Sequence, residues 1–493
     1  MTTFSDIGTR LGGPSGIQEL MDDCGEALTT TPDMRMLGGG QPAAIPQVQA
    51  LWRQRMSEML ADSSIDKTLL NYDPPGGNPL FREAMAAFLR RECGWDVSRE
   101  NIAVMPSSQS ACFLLFNLLA GDTAGKKRRV LFPLLPEYIG YANQALCEGQ
   151  FTACLPKIVE TAPHEIKYHV DFDRLRLDPS IAAMAVSCPT NPTGNVLTEN
   201  EFDTLHALCV AQGIPLIIDN AYGHPFPGVI HNGFQPKWQP GMIFSISMSK
   251  VGLPGVRNAV IVADAPIVKA LSNMNAIVSL ANGNLGQSIL TPLLKDDTLI
   301  QLGRDTIRPF YRERSDHAKS ILAAALGEKV PWALHAQEGA FFLWLWIQGL
   351  PIPAAELYRR LKARKVLVIP GHYFAYGLDK PWQHPHECLR LTYSQPPHIV
   401  QEGLEIIAEE VKSCFNFKSS TSRPSVGNGG FINPELTILA AILSVIAAVL
   451  IASTSSWLFI GGSLLFALAI SLFVVDRLQW RKLRKLEKNK DNG

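Results

Sequence analysis

Up to about residue 414, short apolar runs alternate with longer amphipathic stretches. Residues 129–132 (RVLF), 182–187 (AAMAVS) and 215–219 (PLIID) are such runs, each followed by a turn or a helical pattern. Short apolar runs bounded by turn signals read as buried strands. Their alternation with helical segments predicts an α/β domain with a mainly parallel sheet. Residues 397–414 predict a closing helix, with Pro397 near its first position. No internal repeat shows in this part. The pattern changes near residue 416, where NFKSSTSRPSVGNGGF (416–431) reads as a Ser- and Gly-rich linker. Asn433, Pro434 and Glu435 then look like a helix start. Two runs without a charge follow, 436–452 with 17 residues and 457–475 with 19, separated only by Ser453-Thr454-Ser455-Ser456. At ~1.5 Å per residue each is about 25–29 Å long, close to the ~30 Å hydrocarbon core of a bilayer. The end carries Arg477, Arg481, Lys482, Arg484, Lys485, Lys488 and Lys490, and the intervening turn carries no charge. The expectation is a two-helix transmembrane hairpin over 436–475. Both of its ends, including the basic tail 476–493, then face the cytoplasm.

Composition narrows the class. The chain has 493 residues, 46% hydrophobic and 18% charged, enough for a large core in more than one domain. Lys plus Arg and Asp plus Glu balance at 45 each, so nothing in the overall charge points to nucleic acid. The nine cysteines are scattered with no C-x-x-C pair, which reads as reduced thiols and neither a disulfide framework nor a metal site. The start MTTFSDIGTR has no basic and apolar signal pattern. The catalytic part is therefore expected in the cytoplasm, tethered to the cytoplasmic membrane by its hairpin.

The candidate chemistry centres on SISMSKVGLPGVR, residues 245–257. A Schiff-base lysine needs a fixed, partly desolvated amine near other positive charge. Lys250 follows Ser247 and Ser249, whose hydroxyls suit a cofactor phosphate, and Arg257 offers a charge-assisted contact to the same group. A surface lysine after serines would look alike. Upstream, IIDNAYGHPFP (217–227) puts Asp219 at the end of an apolar strand, where ligands bind in such sheets. There Asp219 suits the pyridinium nitrogen of pyridoxal phosphate (PLP), and Tyr222 suits the ring oxygen; an Asp capping a loop is the plain alternative. PTNPTG (189–194) is a stiff turn that places Asn191 for that oxygen, or is a turn and nothing more. Ser107, Ser108 and Gln109 mark a strand-to-helix junction able to cradle phosphate, or an ordinary N-cap. Tyr138 in PEYIGY suits stacking on a ring, or a core aromatic. Arg390, within Leu389-Arg390-Leu391, puts a guanidinium into an apolar strand pattern, which calls for a carboxylate ligand or a structural ion pair. No single signal decides; the six in this order do.

That order resembles the aspartate-aminotransferase superfamily, fold type I of the PLP enzymes. Within it, residues 1 to about 415 resemble the valine–pyruvate aminotransferases. The runs that carry the likeness are LGGGQPAAIP (37–46), NYDPPGG (71–77), FPLLPEYIGYA (132–142), KYHVDF (167–172), PTNPTGNV (189–196), IPLIIDNAYG (214–223), SMSKVGLPG (247–255), EGAFFLWLW (338–346) and VIPGH (368–372). The resemblance implies a large PLP-binding domain over 51–300 and a small α+β domain over 301–415, with 1–50 as an N-terminal arm and part of the small domain. The linker is 416–435. It implies that Lys250 binds the cofactor covalently and shuttles the proton, and that Asp219 binds the pyridine nitrogen. Tyr222 and Asn191 take the ring oxygen. Ser108, Gln109, Ser247 and Arg257 hold the phosphate, Tyr138 stacks on the ring, and Arg390 binds the substrate carboxylate with Gly40 beside it. Tyr72 reaches the phosphate of a neighbouring subunit, which implies a homodimer. Two departures stand out: Ser107 occupies the usual first Gly of the phosphate cup, and the Lys250–Arg257 interval is one residue shorter than in many members.

The reaction so implied is transamination in two half-reactions, with valine (or a similar apolar amino acid) and pyruvate as the pair and 2-oxoisovalerate and alanine as products. Phe341 and Trp344 are expected to suit the branched side chain. The rival readings are a β-lyase or broader aminotransferase on the same fold, and a membrane-tethered, non-catalytic PLP-fold protein.

Overall fold

The expected apolar runs form the centre of a mixed sheet. The computed structural model describes residues 3–31 and 33–416, all within one unit, Met1–Lys418. The sheet order is Ile102–Met105, Ala259–Val262, Met242–Ser247, Leu216–Asp219, Ile181–Ser187 and Lys126–Phe132, with Gly121–Thr123 and Phe151–Ala153 both paired to the last. Met242–Ser247, Leu216–Asp219, Ile181–Ser187 and Lys126–Phe132 run parallel, as the alternation of runs and helices predicts. The sheet is thus mainly parallel as expected but mixed: Ala259–Val262 runs antiparallel to both of its neighbours, and Gly121–Thr123 antiparallel to Lys126–Phe132. For Ala259–Val262 the cause lies in the chain after Lys250. It returns through two short turns with no crossover helix, and only an antiparallel partner can be reached that way. Every residue of Ile181–Ser187 is buried, as a strand covered on both faces requires.

The helices start and stop where local chemistry dictates. Thr198 and Glu201 form a capping box on Glu199–Gln212, and Gly213 ends that helix at φ 63°. Ser107 caps Ser108–Leu119 through its side chain. Its φ of −171° is extended backbone open to any residue, so a serine in place of the usual glycine meets no backbone obstacle.

A second sheet runs Ile369–Pro370, Cys388–Thr392, Phe342–Ile347, Trp332–His335, Glu165–His169 and Lys157–Ala162. Its last two strands come from the middle of the expected 51–300 span and join the C-terminal strands through Leu334 opposite Glu165. Arg35–Met36 pairs with Val366–Leu367, which ties the N-terminal arm to the same part of the chain. The closing helix spans Pro397–Asn416 and so takes in the first residue assigned to the linker. The rest of the linker, the apolar runs 436–452 and 457–475 and the basic tail lie outside the described residues. Among the described residues no helix is long and apolar enough to cross a membrane. The nine cysteines are free, six of them buried.

Candidate active site

The strand ends of the first sheet open onto a cavity of about 420 Å³. Its lining brings together Gly40, Ser108, Gln109, Tyr138, Asn191, Asp219, Tyr222, Ser247, Lys250, Arg257 and Arg390. Of the residues assigned to the cofactor and the substrate carboxylate, Tyr72 alone is absent from this lining; it is 84% exposed on its own chain.

Lys250 sits in a short turn directly after Met242–Ser247, and its Nζ donates to the Gly40 carbonyl at 2.7 Å. The Nζ lies 5.4 Å from the Tyr222 ring centre and 5.7 Å from that of Phe341. Burial lowers its pKa to about 8, and Arg390 and Arg257 add to the effect while Asp219 opposes it. Much more of its amine is thus neutral at pH 7 than in an ordinary lysine.

Asp219 ends its strand between Ser187 and Ser245 on the flanking strands. Its Oδ2 accepts a short hydrogen bond from the Tyr141 hydroxyl, whereas Oδ1 is buried without a partner. Burial raises its pKa, against the hydrogen bonds from the Tyr141 hydroxyl and the Ala221 backbone and the Lys250 charge. A buried carboxylate oxygen with no donor is costly. A protonated ring nitrogen is the kind of group that relieves it.

Asn191 is held by two partners. Its Oδ1 accepts from Arg390 Nη1 at 2.8 Å and its Nδ2 donates to the Tyr222 hydroxyl at 3.4 Å. The amide nitrogen and the phenol therefore converge on one place. Arg390 is 2% exposed; its Nη2 donates to the Gly38 carbonyl at 2.6 Å and its Nε is buried without a partner. The guanidinium packs over Phe342 at 4.5 Å and Phe374 at 5.3 Å, and burial lowers its pKa to about 10. No carboxylate pairs with it among the described residues, which leaves it suited to one brought by a ligand. A Cβ on Gly40 would meet nothing within 4 Å, so the space beside Lys250 stays open.

At the other end of the cavity the Ser108 hydroxyl accepts from Ser245 Oγ at 2.8 Å, which pins the helix start to the central strand. Ser247 Oγ accepts from the Ser249 amide at 3.2 Å. Arg257 takes a left-handed backbone at φ 53°, an uncommon conformation that aims its guanidinium back toward Ser249 Oγ at 3.5 Å. The helix N-terminus, the hydroxyls and the guanidinium together fit a phosphate.

Two expectations need correction. Phe341 and Trp344 are fully buried and neither lines the cavity. Its apolar wall comes instead from Ile17, Leu20 and Met21 on the helix Gly16–Thr30, with Ile139. A helix so distant in sequence carried no motif to flag it. Tyr141, the partner of Asp219, was also missed, although PEYIGY offered a second tyrosine one helical turn after Tyr138.

A mixed sheet with a half-buried lysine, a half-buried strand-end Asp and a phosphate-suited rim fits fold type I of the PLP-dependent enzymes. The family model for aminotransferase class I and II matches residues 41–407, and the chain belongs to that family of PLP-dependent enzymes. It is 45% identical to the valine–pyruvate aminotransferase of Escherichia coli K12, over 84% of this chain and 99% of that protein. Among solved structures it is similar to a putative amino-acid aminotransferase from Psychrobacter arcticum, with 40% identity, TM-score 0.82, and 84% and 100% of the two chains covered. The valine–pyruvate aminotransferase of Salmonella typhimurium is also similar, with 42% identity, TM-score 0.75, and 81% and 99% covered.

Proposed function

We propose that this aminotransferase exchanges an amino group between valine, or a similar apolar amino acid, and pyruvate, giving 2-oxoisovalerate and alanine. The observation that carries the pairing is the 45% identity to the Escherichia coli valine–pyruvate enzyme along 99% of its length. The cavity lining supports it: Ile17, Leu20, Met21 and Ile139 are apolar, and its only guanidiniums are Arg390 and the phosphate-suited Arg257. Apart from Lys250, which the cofactor would occupy, a second carboxylate, as in aspartate or glutamate, finds no further cation in this lining among the described residues.

PLP, when bound, supplies an electron sink for the bond broken at the substrate α-carbon. The chain's residues do the rest. Ser108, Gln109, Ser247 and Arg257 hold the phosphate, joined by Tyr72 from a second copy in a homodimer. Tyr138 covers one ring face. Asp219 Oδ1 keeps a proton on the ring nitrogen, and Tyr141 holds Asp219 in place. Asn191 Nδ2 and the Tyr222 hydroxyl donate to the ring oxygen. Arg390 binds the substrate carboxylate, with Gly40 leaving room beside it. Lys250 Nζ would hold the cofactor until the substrate amine displaces it, and the freed amine would then take the α-proton and later return it. Its burial favours the neutral amine that both tasks need.

The test is a steady-state screen of amino donors against pyruvate. Valine is expected to turn over fast, and aspartate and glutamate slowly. Faster turnover of glutamate than of valine overturns the pairing. Pyruvate or ammonia released without an oxo-acid acceptor overturns transamination in favour of a lyase. The same proposal places a transmembrane hairpin at 436–475, supported by its two charge-free runs. The full chain should then need detergent, whereas a chain ending near residue 415 should stay in solution and active. A full chain that stays in solution without detergent refutes the hairpin.

A further inference from the structure

Glu137 is a fully buried carboxyl that the reaction does not use. Among the described residues no cation pairs with it. Three donors converge on it instead. The Tyr138 amide donates to Oε1 at 2.9 Å, the Ser187 amide donates to Oε2 at 2.8 Å, and the Ser187 hydroxyl donates to Oε1. Ser187 stands opposite Asp219 at the strand end and leads into the turn that carries Asn191. Tyr138 is the residue assigned to the ring face. One side chain thus ties the loop bearing the stacking tyrosine to the strand end bearing the ring-nitrogen site.

The rest of the loop is fixed around the same point. The Glu137 amide donates to the Phe374 carbonyl at 2.9 Å, and the Tyr376 hydroxyl donates to the Tyr138 carbonyl at 3.0 Å. A Cβ on Gly140 would lie 2.3 Å from the Tyr138 ring, so the ring rests against a glycine. Burial pushes the Glu137 carboxyl up to about 7, against the hydrogen bonds from Ser187 and Tyr138. A carboxyl kept in such a place at a cost in stability points to a task.

We propose that Glu137 is a positioning residue that sets the Tyr138 ring against the face of the bound cofactor by clamping its backbone to Ser187. This rests on the reading of Tyr138 as the ring-stacking residue. Only a carboxylate accepts from all three donors at once. In Glu137→Gln the amide N–H must face either the Ser187 N–H or the Tyr138 N–H, so one donor is opposed whichever way the amide turns.

The test is a double-mutant cycle on the full chain with Glu137→Gln, Tyr138→Ala and the pair. PLP affinity is read by titrating the cofactor-free protein. The visible circular dichroism of the cofactor at saturation reads the geometry of its surroundings. Each single variant is expected to weaken PLP binding by about fivefold to tenfold, the scale of one aromatic stacking contact. The pair should be weakened no further than about tenfold, because both changes remove one contact. Glu137→Gln should also alter the dichroism at saturation. If Tyr138→Ala binds PLP as the parent does, the stacking assignment itself fails. If it weakens binding but the two effects multiply, the assignment stands and the clamp is refuted. A Glu137→Gln variant with lower thermal stability but parental affinity and dichroism refutes the clamp as well. Should Glu137→Gln not fold, Ser187→Ala, which removes one of the three donors, takes its place in the same cycle.

Discussion

Replacing Asp219 by Asn changes one oxygen for one nitrogen and removes one charge. The amide oxygen can still accept from the Tyr141 hydroxyl, so the fold around the strand end should hold. What is lost is the acceptor at Oδ1, now a neutral N–H donor facing a ring nitrogen that must carry a proton to act as an electron sink. The size of the loss follows from the burial of this carboxylate. Two opposite charges about 3 Å apart attract by ~5.5 kcal/mol at an effective dielectric of ~20. A neutral hydrogen bond that takes their place returns at most ~1.5 kcal/mol. The remaining ~4 kcal/mol acts where charge develops in the ring, which corresponds to about three decades in rate. The assay is a single-turnover reaction with valine at saturating cofactor, following the absorbance of the lysine-bound cofactor by stopped flow. The first half-reaction should slow about a thousandfold in Asp219→Asn, at ~4 kcal/mol of lost stabilisation, while the cofactor stays bound through its phosphate and ring-oxygen contacts. Tyr141→Phe should cost less, about tenfold, as it removes only the hydrogen bond that orients the carboxylate. A rate in Asp219→Asn within tenfold of the parent would refute the role assigned to this residue.

Lys250→Ala should abolish both transamination and the absorbance of the lysine-bound cofactor; a variant that keeps both identifies a different lysine. The lowered pKa of Lys250 gives a sign to the pH dependence of cofactor capture, because the neutral amine is the reactive form. Capture by the cofactor-free protein should quicken with pH below about 8 and level off above it; a rate still climbing steeply between pH 9 and 10 contradicts a desolvated amine. Arg390→Lys should raise KM for valine and pyruvate alike by about a hundredfold, since an ammonium cannot form the fork a guanidinium offers a carboxylate. An unchanged KM for both would place the carboxylate site elsewhere.

Residues whose place in the cavity is written in their local surroundings were legible in the sequence. Asp219 follows an apolar strand, Asn191 lies in a stiff Pro-bounded turn, Lys250 follows two spaced serines, and Arg390 interrupts an apolar run. Each is a polar group placed where periodicity demands an apolar one, or where a strand must end. What escaped was set by long-range packing. Periodicity marks a strand as buried but does not say which sheet it joins, so Glu165–His169 gave no sign of its partner Trp332–His335. The apolar wall from Ile17, Leu20 and Met21 reads locally as one face of an amphipathic helix and nothing more. Apolar character alone does not separate a pocket residue from a core residue, and Phe341 and Trp344 are both fully buried, one just before the strand Phe342–Ile347 and one within it. Glu137 lies in the same PEYIGY run as Tyr138, yet only the arrival of Ser187 from another strand explains its burial.

The charges of the cavity fit together only with a ligand in place. Burial is the leading cause of the shift at Lys250, Asp219 and Arg390, and in each case it favours the neutral form. Asp219 Oδ1 and Arg390 Nε lack partners, and Lys250 has only the Gly40 carbonyl as a hydrogen-bond partner. The protein has thus met the desolvation cost of three charged groups without their counter-charges. A ring cation opposite Asp219 and a carboxylate opposite Arg390 would recover that cost at the two ends of the space beside Lys250. Each would also offset one charged neighbour of the lysine: the ring cation offsets Asp219, which raises the Lys250 pKa, and the carboxylate offsets Arg390, which lowers it. As the Arg390 charge is offset by a substrate carboxylate, the field that lowers the Lys250 pKa weakens. Its amine then becomes a stronger base when the substrate is present, which is when an α-proton has to be taken.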